Sequence, residues 1–385
     1  MDYLGIDIAD LKEKGGFHTA KEIVSQPEMW LKTYERVRKE KEQLLQFLGK
    51  ALEKENTSVI LTGAGTSAFI GEALSGYYQR YLKVYTRSIA TTDIITHPED
   101  YFIRSKPTLL ISFARSGDSP ESLATVELAH SHCDRLHQLI ITCNKDGILA
   151  RKCRNENTYV FLLPEETNDV SLAMTSSFSS MLLAGLMMLH LRNIEALLPV
   201  IENICNCGNY CIRDNLAKLK SIAALDFKRA VFLGSGPLFG IAHESHLKVQ
   251  ELSDGKIVGK YDSFLGFRHG PRAVVDDSTL VTYLMSFNGQ VKQYEIDLIH
   301  SISESPDKAI NVCVGYDMDK QGLKVDFIVD FPPCISDVPK EFFSVFYILP
   351  AQIIGFFKSL EFGLEPDSPS KGGSISRVVQ GVKIY

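Results

Sequence analysis

Positions 171 residues apart carry the same pattern in this sequence, and that interval limits the folds open to it. Gly63 and Gly65 follow the apolar run VILT, and Gly234 and Gly236 follow VFL. Thr108-Leu109 and Thr279-Leu280 open a second matched pair of apolar runs. LIIT at 139–142 is answered by INVC at 310–313, the third match at 171; the long apolar stretch 342–357 also repeats that at 173–191, though not at the same offset. Repeated matches at one offset argue for an internal duplication. Within the first copy SVILTG, VYTRSIAT, TLLISFA, LHQLIITC and NTYVFLLP read as successive strands separated by stretches of helix length. That alternation predicts parallel sheets covered on both faces. The expected fold is α/β: two tandem doubly wound domains, each a five-stranded parallel sheet flanked by helices. The expected division is a helical arm at 1–50, domains at 51–205 and 215–362, and a tail at 363–385. In the arm, Met29, Trp30, Tyr34, Val37, Leu44, Leu45 and Leu48 form the apolar face of a helical segment spanning 18–55. The stretch 173–191 is apolar nearly all round and so reads as a buried helix, with Ser and Thr crowding its start.

Bulk properties narrow the function. A net charge of −6 leaves no basic field, so no nucleic-acid partner is expected. No uninterrupted apolar run approaches the roughly 20 residues of a spanning helix, so no membrane partner is expected. The acidic start MDYLGIDIAD is not a signal peptide, and eight cysteines without a dense framework read as thiols of a cytoplasmic protein. Cys205, Cys207 and Cys211 lack a second pair at zinc-site spacing, and no metal site or cofactor motif is expected. His130, His132 and His137 read as solvent-facing residues of a polar helical stretch.

In doubly wound sheets ligands lie past the carboxyl ends of the strands. There the first copy carries Gly65-Thr66-Ser67 and Ser116-Gly117-Asp118-Ser119-Pro120. Ser119 suits an N-cap and Pro120 the first helical position. Such turns gather amides and hydroxyls at a helix N-terminus and suit a phosphate; the plainer alternative is that the serines only cap. The second copy has Gly236-Pro237-Leu238 and Met285-Ser286-Phe287-Asn288-Gly289, with most hydroxyls gone, so the phosphate is expected in the first copy. The second copy instead places Glu244, Lys248 and Glu251 at i, i+4 and i+7 on one helix face. They are either a solvated stripe or part of a site. Arg268, His269 and Arg272 surround a Gly-Pro turn further on, where the histidine is either a proton shuttle or a satisfied surface group. A carboxylate, an amine and an imidazole near a sugar phosphate suit proton transfer between adjacent carbons.

Two copies bearing GAGTS and FARSGDSPES, then ESHLKVQELSDG and FRHGP, resemble the SIS (sugar isomerase) superfamily over about residues 50–385. The runs AMTSSFS, YDSFLGFRHGPRAVV and the terminal SRVVQGV are similar to its AgaS family, known as tagatose-6-phosphate ketose/aldose isomerases or galactosamine-6-phosphate deaminases. The resemblance implies two tandem SIS domains. By comparison with the isomerase half of glucosamine-6-phosphate synthase, it implies a phosphate held by Gly65, Thr66, Ser67, Ser116, Gly117 and Ser119. Ala114-Arg115 replaces a Ser-Gln pair of that relative, so Arg115 is expected to substitute charge for a hydroxyl at the phosphate. The resemblance further implies Glu251 as the proton-transferring base, Lys248 beside it, and His269 as a ring-opening residue lent by a neighbouring subunit of a homodimer or larger homo-oligomer. Thr175 and Arg377 are expected beside the sugar, Arg377 on a tail that closes as a lid. The implied reaction converts galactosamine 6-phosphate to tagatose 6-phosphate and ammonia. The alternatives are a plain ketose/aldose isomerase, a fructosamine-type deglycase and a non-catalytic sugar-phosphate sensor.

Overall fold

A computed structural model of the chain describes residues 2–379 and 382–385. Its contacts divide it into two compact units. The first comprises residues 28–169, 176–201 and 375–385, and the second comprises 1–27, 170–175 and 202–374.

The first unit is built on β1 (Ser58–Thr62), β2 (Thr86–Ser88), β3 (Thr108–Ala114), β4 (Leu136–Thr142) and β5 (Thr158–Leu162). They form one sheet in the order β2-β1-β3-β4-β5, parallel at every pairing. Every residue of β1 and β3 is buried, which is why both read as unbroken apolar runs rather than alternating ones. The flanking helices include α1 (Phe17–Lys39, which belongs to this unit from Glu28 on), α2 (Lys41–Ala51), α3 (Thr66–Leu82), α4 (Pro120–His132) and α5 (Ser176–Met187). Met29, Trp30, Tyr34 and Val37 of α1 are buried as the periodicity requires, and the Trp30 indole donates to Ser179 Oγ at 2.8 Å. All twelve residues of α5 are buried. It is shorter than the apolar stretch 173–191, since the chain leaves the α-helix after Met187. His137 departs from expectation: it lies on β4, half-buried against the Phe47 ring, because the helix before it ends at His132.

The second unit repeats the plan with β6 (Arg229–Gly234), β7 (Val258–Asp262), β8 (Thr279–Leu284), β9 (Ile310–Gly315) and β10 (Phe327–Asp330). Its order, β10-β9-β8-β6-β7, is the same topology, again parallel throughout. Its helices include α6 (Pro237–Leu252), α7 (Gly289–Ser303) and α8 (Leu349–Glu361). The apolar stretch Lys340–Glu361 is long enough to cross a membrane, yet 94% of its most apolar window is buried inside the protein, as a core helix would be.

The duplication extends to backbone detail. Gly65 and Gly236, just before α3 and α6, have φ/ψ of 53°/−130° and 59°/−127°, a region that disfavours a side chain. Gly63 and Gly234 are needed for another reason. A Cβ there would lie 2.5 Å from the Ser67 carbonyl carbon or 2.1 Å from the Leu238 carbonyl oxygen, the first turn of the following helix.

Candidate active site

In the first unit β1 leaves the sheet through Gly63–Gly65 into α3, and Thr66 and Ser67 occupy its buried first turn, 5% and 4% exposed. The neighbouring β3 leaves through residues 115–119 into α4. Because β1 and β3 are parallel and Thr62 pairs with Ser112, the two turns open at the same edge of the sheet. Ser119 Oγ accepts the Ser122 amide at 3.3 Å and lies 2.6 Å from Ser122 Oγ, so it is a true N-cap. Ser116 Oγ accepts the Asp118 amide at 3.2 Å, and Gly117 has φ +68°. The capping and anion-cradle readings are therefore compatible: the serines order the turn whose amides end at a helix N-terminus.

The turn is propped from behind by residues 144–149. Asn144 Nδ2 donates to the Ser116 carbonyl at 2.9 Å, and Asp118 Oδ1 accepts the Ile148 amide at 2.9 Å. Gly147 sits so close that a Cβ would lie 2.2 Å from the Ser116 oxygen. Nothing local in the sequence signals these supports, which come from the next strand–helix connection. Arg115, 7% exposed, donates from its guanidinium to the Arg377 carbonyl. Arg377 in turn donates to Asn168 Oδ1 and to the Asp169 carbonyl, both at 2.9 Å. The Asp169 carboxylate accepts the Ser176 and Ser177 amides at 3.2 and 2.9 Å and so caps α5. The contacts of Asn168 and Asp169 with Arg377 were not legible in the sequence, because Arg377 lies more than 200 positions further along the chain.

In the second unit Glu244 and Lys248 are fully buried, and the Glu251 side chain keeps 21% of its exposure. The Lys248 ammonium lies 3.2 Å from Glu244 Oε1 and 2.6 Å from Glu251 Oε2. The stripe is therefore not solvated. Burial alone would pull the lysine pKa down, but the two carboxylates outweigh it and raise it. Lys248 is thus a held cation, poorly suited to attack a carbonyl as a free amine. α6 runs from one edge of the sheet to the other. It begins at the carboxyl end of β6, but Glu251 lies in its last turn, about 21 Å further on at 1.5 Å per residue. The chain must return to the amino edge to start β7, where Val258 pairs with Arg229. Glu251 thus stands near the amino edge of the second sheet, not at the carboxyl edge where the Gly234–Gly236 turn opens α6.

His269 is exposed, at the start of a short helical turn, Gly270–Val274. Arg272 ties this loop to α7, donating to Ser301 Oγ and to the Ser301 carbonyl, both at 2.7 Å. Buried Phe264 and Phe267 anchor the segment before it. No hydrogen bond joins His269 to Glu251 among the described residues. Thr175 is fully buried immediately before α5. Cys207 lies 3.9 Å from Cys334, sulfur to sulfur, and the Cys205 thiol turns elsewhere, to the Pro27 carbonyl.

The SIS domain family model matches residues 51–191, which include both Ser-rich turns. A protein of Shewanella sp. (strain ANA-3) named D-galactosamine-6-phosphate deaminase AgaS is 40% identical over 380 residues, 97% of this chain and 93% of its own length. The chain belongs to the AgaS family. Solved structures agree with that membership. One from Clostridium novyi NT superposes on this AgaS-family chain with a TM-score of 0.95 at 40% identity, covering 100% of this chain and 99% of its own. The tagatose-6-phosphate ketose/aldose isomerase of Escherichia coli superposes with a TM-score of 0.87 at 33% identity, covering 100% and 99%.

Proposed function

We propose that this AgaS-family chain is an enzyme that converts galactosamine 6-phosphate to tagatose 6-phosphate and ammonia. The observation that carries the reading is the near-full-length kinship with the Shewanella deaminase. The turns at Gly65-Thr66-Ser67 and Ser116-Gly117-Ser119 are assigned to the phosphate, supported by their shared sheet edge and helix N-termini. Glu251 is assigned as the base. It takes the proton from C2 of the open-chain amino aldose and returns a proton to C1, while the aldehyde oxygen gains a proton and the amine loses one, so that C1 becomes CH2OH and C2 a ketimine. Water then adds to C2 and ammonia leaves, giving the ketose. The Lys248 ammonium, 2.6 Å from Glu251 Oε2, holds that carboxyl group in position. Thr175 and Arg377 are assigned to the sugar's surroundings. His269 is assigned to ring opening in a neighbouring subunit of a homo-oligomer, a role supported by its exposure on a firmly anchored loop. We also propose a cytoplasmic location, in keeping with sugar-phosphate chemistry and a thiol-rich sequence.

The second reading, isomerisation without loss of nitrogen, draws on the name of the Escherichia coli structure. One assay separates them: incubation with galactosamine 6-phosphate, and with tagatose 6-phosphate alone, reading ammonia and the ketose/aldose ratio. Stoichiometric ammonia from the amino sugar is expected. Aldose formed from tagatose 6-phosphate with no ammonia from the amino sugar overturns the deaminase reading. Glu251→Gln is expected to lower ammonia release at least about 100-fold; near-normal release refutes the assignment of the base.

A further inference from the structure

We propose that Arg115 is a positioning residue: it fastens the C-terminal tail beside the phosphate turn and does not itself hold the phosphate. Arg115 is 7% exposed, and Nη2 of its guanidinium donates to the main-chain carbonyl of Arg377. Arg377 is gripped from its other side as well. Its Nε donates to the Asp169 carbonyl and its Nη2 to Asn168 Oδ1, both at 2.9 Å. Asp169 is fixed in turn, because its carboxylate caps α5 through the Ser176 and Ser177 amides. One tail residue is therefore clamped between the end of β3 and the start of α5, two rigid elements of the same unit.

Around that clamp the described tail residues are largely exposed. Residues 375–379 and 382–385 carry no helix or strand. Val379, Val382 and Tyr385 are 53%, 40% and 102% exposed. Ser376 Oγ reaches only as far as the Val378 carbonyl, at 2.8 Å. A segment with few buried contacts opens at low free energy, so a single charge-assisted hydrogen bond weighs heavily in its docked population. Arg115 directly precedes Ser116, so the turn and the docked tail are ordered together. A hydroxyl or amide side chain is too short and too weak a donor for this task, which accounts for an arginine at the position. That the turn is the phosphate site rests on the function proposed above; the docking of the tail does not.

Trypsin reads the clamp directly, since Arg377 is itself a cleavage point. Lys371, exposed and a few residues earlier, serves as the internal reference. The full chain and its Arg115→Ala and Arg115→Lys variants are digested briefly, and cleavage after Arg377 is measured relative to cleavage after Lys371. The affinity for inorganic phosphate and the kcat and KM for galactosamine 6-phosphate are measured on the same samples. Arg115→Ala is expected to speed cleavage after Arg377 about tenfold, the effect of losing one hydrogen bond to a charged group. Phosphate affinity is expected within about twofold of the parent, kcat to fall with KM little changed, and Arg115→Lys to recover part of the protection. Asn168→Ala, which releases the Arg377 guanidinium from the far side, is expected to speed the same cleavage should Arg115→Ala fail to fold. Unchanged cleavage after Arg377 overturns the proposal. So does a loss of phosphate affinity of about tenfold or more in Arg115→Ala, the behaviour of a direct ligand. If the parent lacks activity on the amino sugar, the proposed function falls while the cleavage ratio still decides the clamp.

Discussion

Two buried acids show how far single residues can be read. Glu244 has its charge matched by Lys248 at 3.2 Å, inside a helix turn that excludes water. Lys248→Met removes the cation and leaves a buried carboxylate without it. A loss of about 3–5 kcal/mol is expected, read as a fall in the urea midpoint. An exposed pair would cost far less, so a loss under about 1 kcal/mol would show that the triad is solvated after all. Glu295 makes no ion pair among the described residues, and Lys292, one turn away on α7, offsets its burial only in part. It is fully buried on α7, accepts the Ser286 amide at 2.8 Å, and burial pushes its carboxyl up to about 7. An acid whose folded pKa lies above its unfolded one binds more protons when folded. Its stabilising contribution is therefore present in acid and lost as pH rises from about 4.5 to about 7. Glu295→Gln is expected to flatten this fall and to raise the thermal midpoint at pH 8 relative to the parent, with little difference at pH 4.5. His246 acts at the other end of the scale. Burial lowers it to about 4, so its contribution is lost as pH falls from about 6.5 toward 4. Neither shift is foreseeable from the sequence, where Glu295 and His246 look like ordinary polar positions of amphipathic helices.

Elements were more legible than their ends. The five strands of the first copy, the helical arm and the buried helix after β5 all follow from apolar runs of recognisable length. What the pattern did not carry was where α5 stops, or that His137 belongs to a strand. Both depend on packing against residues distant in the chain. The Gly-x-Gly turns illustrate the same division. Their spacing in the sequence marks a strand-to-helix turn, but the two glycines serve different ends, and only the structure separates them. Gly63→Ala is expected to cost about 1–3 kcal/mol, because the added methyl meets helix backbone rather than a movable side chain. Gly49→Ala, on the exposed side of α2 with open space around it, is expected to stabilise by about 0.5–1 kcal/mol. Denaturant melts of both variants test the contrast. α6 adds a caution for functional readings: a residue late in a crossover helix belongs to the opposite sheet edge from the turn that opens the helix.

At the scale of the whole molecule, one doubly wound plan occurs twice with unlike chemistry. The hydroxyl-rich turns belong to the first unit and the Glu244–Lys248–Glu251 triad to the second. If His269 serves a neighbouring subunit, two inactive variants should rescue each other. Glu251→Gln and His269→Ala, mixed and allowed to exchange subunits, are expected to recover up to about a quarter of the parent's ammonia release. No recovery despite proven exchange would place both residues in one subunit's site. The sequence alone determined the duplication, the strand-and-helix alternation, the hydroxyl-rich turns and the acid–lysine spacing. These rest on periodicity and backbone chemistry, which act over a few residues. Only the tertiary structure decided that the Lys248 stripe is buried, that residues 144–149 prop the 115–119 turn, and that Arg115 reaches the Arg377 carbonyl. Burial and hydrogen bonds between residues 28 or 262 positions apart are set by how elements pack, and no local pattern encodes them.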